Sequence, residues 1–183
     1  GKNQDYIKRV IGMPGDLIEM RGGQGYLNSK PIKQEAQPVK DLPVDANNPC
    51  TEIDFPGALV QEADGSLHCY VTIVRETLPN GVSYDTIDAR RGSTDDVAPI
   101  RIPKGHYYLL GDNRDNSADS RVDAPIGLGG PVAWERIGGR AEIITFSLDG
   151  STGLNPASWF SSFRSGRAGT SLRPDAAEPG AAK

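Results

Sequence analysis

Tyr6-Ile7-Lys8-Arg9-Val10-Ile11-Gly12-Met13-Pro14-Gly15-Asp16 is the stretch on which the reading of this chain turns. Asp5 to Ile11 is rich in β-branched and aromatic residues, and the Gly-Met-Pro-Gly-Asp cluster that follows stops a strand and turns the backbone. On a period of two, Tyr6, Lys8 and Val10 point one way and Ile7, Arg9 and Ile11 the other. A lysine in such a strand is costly to bury charged, so it must snorkel, pair with a carboxylate or give up its proton. Pairing is the simpler reading of the pattern alone. Loss of the proton through desolvation would leave a neutral amine able to act as a general base.

Outward from this strand the chain continues in hairpins. Leu17 to Met20 reads as a strand, and Gly25 to Ile32 as a hairpin with Asn28-Ser29 at its tip. Leu67 to Glu76 and Val82 to Asp88 flank Leu78-Pro79-Asn80-Gly81, and Asn-Gly between two apolar runs is the strongest short-range hairpin signal. Pro99 to Pro103 turns at Lys104-Gly105 into a strand over His106 to Leu110. Between Gln34 and Pro56, four prolines (Pro38, Pro43, Pro49 and Pro56) predict an extended surface loop rather than a central strand. Val132 to Ile137 reads as one helical turn and Gly139 to Ser147 as a last strand. Asp149 to Lys183 is rich in Ser, Gly, Ala and Pro, with its apolar grip at Trp159, Phe160 and Phe163; the end beyond Arg173 reads as disordered. The fold class expected is mainly β and antiparallel.

Composition agrees. The 183 residues include 22 glycines and 14 prolines but only 7% aromatics, and the mean hydropathy of -0.46 argues with them against a helical bundle. No run approaches the roughly 20 apolar residues of a spanning helix. The chain begins at Gly1 rather than Met, which is expected of a processed or cut sequence. Its net charge of -4 is uneven: residues 34–98 hold 12 acidic and 4 basic side chains, the remainder 16 basic and 12 acidic. The basic flanks suit an anionic surface such as lipid headgroups. Nucleic acid is not expected as a partner, because Arg and Lys are scattered and no zinc-ligand spacing or aromatic RNA motif is present. Cys50 and Cys69 fit either one disulfide in an oxidising compartment or two buried thiols.

The strand His106 to Leu110 empties into Gly111-Asp112-Asn113-Arg114-Asp115-Asn116-Ser117-Ala118-Asp119-Ser120-Arg121. The acidic spacing invites a calcium loop, but counting from Asp115 the turn position is Ser120 where Gly is needed, and the twelfth is Ile126 where Glu is needed. No metal or cofactor is expected. From the residues alone, the loop is either an Asx-type turn held by Asp/Arg pairs or a strand-end active-site segment.

Two stretches, Tyr6 to Asp16 and Gly111 to Arg121, together resemble the two most specific motifs of bacterial type I signal peptidase, in the right order and separation. The resemblance covers about residues 4 to 147, and Arg75 to Ser83 and His106 to Leu110 read like the alphaproteobacterial branch. It implies a Ser/Lys dyad endopeptidase with an antiparallel β catalytic core and an inserted second β domain. Such an enzyme removes signal peptides from preproteins after small residues, Ala-X-Ala being the usual pattern.

By that resemblance Lys8 is the general base and Ser117 hydrogen-bonds and orients its amine. Arg9 with Asp112, and Asp119 with Arg121, form charge pairs that fix the second motif against the first, and Ile7 lines the pocket for the small side chains beside the cut. A serine hydroxyl is a poor nucleophile until a base takes its proton, and a neutral lysine can do so where no histidine is available. His68 and His106 fall outside both motifs and read as strand residues. The family's nucleophilic serine, in a Ser-x-Met-x-Pro setting some fifty residues before the lysine, has no counterpart here, so the isolated chain is expected to be inactive. The implied setting is the inner membrane of a Gram-negative bacterium, with the domain on the periplasmic face, and a functional link to the secretion translocon. Residues 1–33 and 99–148 are then the catalytic core, 34–98 the insertion and 149–183 a C-terminal extension. Two rivals share some of these features: a self-cleaving repressor-type Ser/Lys protease, and a non-catalytic β domain in which Lys8 and Asp119 make only a structural ion pair.

Overall fold

The computed structural model describes residues 5–151 and 162–174. Its strands are β1 (Arg9–Gly12), β2 (Leu17–Arg21), β3 (Gln24–Leu27), β4 (Lys30–Pro31), β5 (Lys33–Leu42), β6 (Leu59–Gln61), β7 (Leu67–Thr77), β8 (Ser83–Ile87), β9 (Val97–Arg101), β10 (His106–Leu110) and β11 (Val132–Ala133), and a 3-10 turn covers Trp134–Arg136. They form sheets in the orders β1-β10-β11, β4-β3-β2-β9 and β5-β7-β6, with β8 also on β7. Among the described residues no helix is long and apolar enough to cross a membrane. The mainly β, antiparallel reading is what the structure shows.

Turn chemistry sets the register. Asn28 and Ser29 both take positive φ, 53° and 64°, the pair of left-handed residues that a two-residue turn with the twist of its strands requires. The hairpin therefore places Leu27 opposite Lys30 and Tyr26 opposite Pro31. At the second hairpin, Gly81 sits at φ 85° and the Leu78 N–H donates to the Val82 carbonyl at 2.9 Å. This register puts Glu76 opposite Tyr84.

Two compact units emerge, one containing residues 5–38, 72–139 and 174, the other 39–71, 140–151 and 162–173. The first holds a continuous core of Ile11, Ile18, Met20, Ile32, Leu78, Tyr84, Ile102, Tyr108 and Leu110. Each such side chain removed from water contributes roughly 1.5–3 kcal/mol. Gly12 is dictated by this packing: a Cβ there would lie 2.3 Å from Cδ1 of Ile102 and 3.4 Å from Cβ of Tyr108. In the second unit the buried apolar side chains among the described residues are Cys50, Ala58, Cys69 and Val71. The cysteines are joined as a disulfide across 19 residues, which resolves the alternative left open by their count.

Several local expectations change. Residues 33–42 form a ten-residue strand, not a loop; β5 lies at the end of its sheet, and an edge strand tolerates Pro38 because its outer N–H row needs no partner. Gly139 to Ser147 is not a strand. It meets the returning chain at an isolated bridge, Ile143 to Ser171, and Ile143 and Phe146 remain exposed, so there is no apolar face for a sheet to bury. Val132 to Ile137 splits into a short strand and a 3-10 turn. In the compact units, residues 72–98 group with 99–139, and 140–148 with 39–71. Charge composition follows exposed side chains, whereas the hairpin of β7 and β8 is placed by its buried ones. The expected grip at Trp159 and Phe160, and all but Pro174 of the end expected to be disordered beyond Arg173, lie outside the described residues.

Candidate active site

Pairing of β1 with β10 brings the two motifs together. Arg9 is registered with Leu110 and Val10 with Leu109, so continuing the antiparallel register by one residue sets Lys8 opposite Gly111. A Cβ built on Gly111 would lie 2.1 Å from Ser117 Oγ, 2.6 Å from Ser117 Cβ and 3.6 Å from Lys8 Nζ. The space a side chain would occupy at 111 is thus filled by the Ser117 hydroxymethyl and bordered by the Lys8 amine. Glycine is required there by close approach. Lys8 is half-buried, with its Nζ 5.5 Å from the centre of the Tyr6 ring. Ser117 Oγ is buried and has no hydrogen-bond partner among the described residues, so the amine and hydroxyl converge on one face of Gly111 without bonding directly.

Two ion pairs frame this point. Arg9 Nε and Nη2 donate to the two oxygens of Asp112, each at 2.8 Å, and the Arg9 guanidinium lies 4.4 Å from the centre of the Tyr84 ring. The hydrogen bond to Asp112 raises the pKa of Arg9 despite its partial burial. Asp119, fully buried, accepts from Arg121 Nε at 2.9 Å and Nη2 at 2.8 Å, from the Arg121 N–H at 3.0 Å and from the Gly111 N–H at 3.0 Å. Burial alone would push the Asp119 carboxyl up; the guanidinium and the two backbone donors outweigh it and hold the group below the ordinary carboxylate range. Ile7 is 82% exposed, an open apolar side chain next to Lys8.

Three residues outside the sequence reading complete the arrangement. Arg114 is buried, and its Nη1 and Nη2 donate to the two oxygens of Glu76 at 2.5 and 2.8 Å. Its Nε donates to the Gly111 carbonyl at 3.0 Å. The Tyr84 hydroxyl donates to Glu76 at 3.0 Å, and desolvation, then the Glu76 charge, push that phenol well above its usual range. For Arg114, desolvation works against the charged form but Glu76 and Tyr84 more than offset it. Backbone bonds repeat the connection: the Ile87 N–H donates to the Asp112 carbonyl at 2.8 Å, and the Arg114 N–H to the Ile87 carbonyl at 2.7 Å. A sequence signal for this network existed. Counting back from the Asn80-Gly81 turn pairs Glu76 with Tyr84, and an acid facing a tyrosine inside a strand calls for a buried cation.

The histidines lie elsewhere. His106 Nδ1 faces the Lys104 carbonyl at 3.1 Å. His68 has Asp41 on Nδ1 at 2.7 Å and Ser66 Oγ on Nε2 at 3.0 Å, an order reminiscent of a hydrolase triad. The Ser66 hydroxyl, however, donates to Asp64 at 2.6 Å, which directs its proton away from the ring, and Asp41 raises the His68 pKa. This is a charge clamp rather than a base. Among the described residues no three His, Cys, Asp or Glu side chains gather to hold a metal ion.

The β domain thus seats a lysine amine and a serine hydroxyl on one buried glycine, between two carboxylate–guanidinium pairs. The family model described as signal peptidase, peptidase S26, matches residues 1–146. The chain is 35% identical over 151 residues to the signal peptidase I of Rickettsia prowazekii (strain Madrid E), covering 78% of this chain and 46% of that protein. It is 34% identical over 155 residues to that of Rickettsia akari (strain Hartford), covering 79% and 47%. Against the one from Rickettsia bellii (strain OSU 85-389) it is 31% identical over 155 residues, covering 79% and 43%. The chain belongs to the signal peptidase family, peptidase S26, and spans about half the length of the curated relatives it matches.

Proposed function

We propose that this chain is the catalytic β portion of a type I signal peptidase, an endopeptidase that cleaves signal peptides from exported preproteins after small residues in an Ala-X-Ala pattern. The observation that carries the proposal is the meeting of Lys8 Nζ and Ser117 Oγ over Gly111. In the reaction, the Lys8 amine takes the proton of a serine hydroxyl as its oxygen attacks the scissile carbonyl. The resulting ammonium returns that proton to the departing amine, and water then releases the acyl group by the same base. Ser117 orients the Lys8 amine. Its own oxygen is buried, and by the family resemblance the attacking serine is one in a Ser-x-Met-x-Pro setting. Asp112 and Arg9, with Asp119 and Arg121, hold the two motifs in register, and Ile7 borders the pocket for the small side chains.

The test is to assay a precursor with an Ala-X-Ala site against the chain alone and against the chain joined to a Ser-x-Met-x-Pro segment. Cleavage by the joined form alone supports the reading; robust cleavage by the isolated chain contradicts the assignment of the nucleophile. The setting proposed is the periplasmic face of the inner membrane, where the translocon delivers precursors and where exposed Tyr6, Ile7, Val10 and Met13 and the basic flanks meet an anionic bilayer. Stronger binding to anionic than to neutral vesicles is expected, and equal weak binding to both would remove that part of the proposal.

A further inference from the structure

We infer that Glu76 is a positioning residue for Lys8 and Ser117, acting through Arg114. The inference rests on the roles proposed above for that pair, and adds a control on their geometry from the hairpin of β7 and β8. Gly111 is the surface on which amine and hydroxyl meet, and its peptide groups are held from both sides. The N–H is taken by Asp119, and the carbonyl by Arg114 Nε. Asp119 is itself tied to Arg121, whose Nη2 donates to the Arg114 carbonyl at 2.8 Å, so Arg114 is engaged by side chain and backbone at once.

A buried guanidinium stays in place only if its charge is met. Glu76 meets it, with both oxygens on both terminal nitrogens and side-chain exposures of 4% for Arg114 and 2% for Glu76. Glu76 is in turn fixed by Tyr84 across the hairpin and reached by Gln34 Nε2 at 3.3 Å. Without Glu76, Arg114 must leave its pocket or take another acceptor, and either move releases the Gly111 carbonyl. A misplacement on the order of 1 Å between reacting groups costs roughly 100-fold in rate, so the loss falls on turnover rather than on substrate binding.

A purely structural ion pair would lower stability and leave the chemistry of the folded enzyme untouched, and the test separates these. In the complete, cleavage-competent protein, Glu76→Gln is expected to lower kcat by about 10- to 100-fold with KM little changed, and Glu76→Asp to recover part of the loss. The double substitution Glu76→Leu with Arg114→Met replaces the pair by apolar side chains and is expected to regain thermal stability. Its kcat is expected to stay low, because the Gly111 carbonyl has lost its donor. Glu76→Gln that lowers Tm but keeps kcat, or a double variant that regains both, overturns the inference. Should the double variant not fold, the Gly111 and Ser117 amide resonances of Glu76→Gln decide: a shift at both supports the coupling, and unchanged resonances refute it. If Lys8→Ala still cleaves while the resonances shift, the proposed dyad has failed and the coupling of Glu76 to Gly111 stands.

Discussion

The two units of the molecule are stabilised by different means. The first buries nine apolar side chains in one cluster and, among them, two carboxylate–guanidinium pairs whose side chains are nearly inaccessible. The second buries little apolar surface among the described residues and closes its chain with the Cys50–Cys69 disulfide. A large core can carry the desolvation cost of internal charge, and the charge in turn fixes the loop on which Lys8 and Ser117 meet. In the second unit, with its small core, a covalent crosslink restricts the unfolded chain. Precision at the site and persistence of the smaller unit therefore have separate physical origins, and substitutions should divide along the same line.

The largest effect expected is from Glu76→Ala, which leaves Arg114 buried without its counter-charge and should cost about 3–5 kcal/mol in urea unfolding. A cost under about 1 kcal/mol would place this pair with the surface bridges such as Arg75–Asp85. Next, replacing Cys50 and Cys69 together by Ser should remove about 3 kcal/mol from the second unit, given its 19-residue separation. Hydrogen exchange should show faster opening of β6 and of residues 67–71, while amides of the nine-residue core keep their protection. Uniform loss across both units would erase the distinction.

Asp119→Asn should cost about 2 kcal/mol at neutral pH. Since the folded pKa of Asp119 lies below its unfolded value, the stabilisation is present above about pH 4 and is lost as pH falls through the folded pKa. The gap between wild type and variant should therefore close in acid; a constant gap would mean that the charge is not what matters. The smallest change runs the other way. The Tyr108 hydroxyl is buried without a partner among the described residues, and desolvation, then the Asp119 charge, hold its phenol above the usual range. Tyr108→Phe should raise stability by about 1 kcal/mol by thermal melting.

Much of this was legible from local chemistry. Asn28-Ser29 and Asn80-Gly81 encode their turns in residues that tolerate positive φ, and the turn at Lys104-Gly105 followed by the aromatic and apolar run His106 to Leu110 encodes β10. The Lys8–Gly111 register follows only from the long-range pairing of β1 with β10. What was not legible depended on tertiary context. Pro38, followed by Pro43, Pro49 and Pro56, argues for a loop unless one knows that the strand lies at an edge. Gly139 to Ser147 has strand-like residues but, among the described residues, only isolated bridges to receive them. Glu76 was hidden for a different reason: it was grouped with an acidic stretch by composition, although its carboxylate is buried and faces Arg114, 38 residues further along the chain.

The central claim is that the Lys8 amine takes the proton of the attacking serine. Its most direct test is single-turnover cleavage of a precursor with an Ala-X-Ala site, comparing Lys8→Ala with wild type in the complete, cleavage-competent protein. The account predicts that Lys8→Ala binds the precursor and leaves it uncut while the fold is intact. Cleavage by the folded variant at a rate near that of wild type would contradict it.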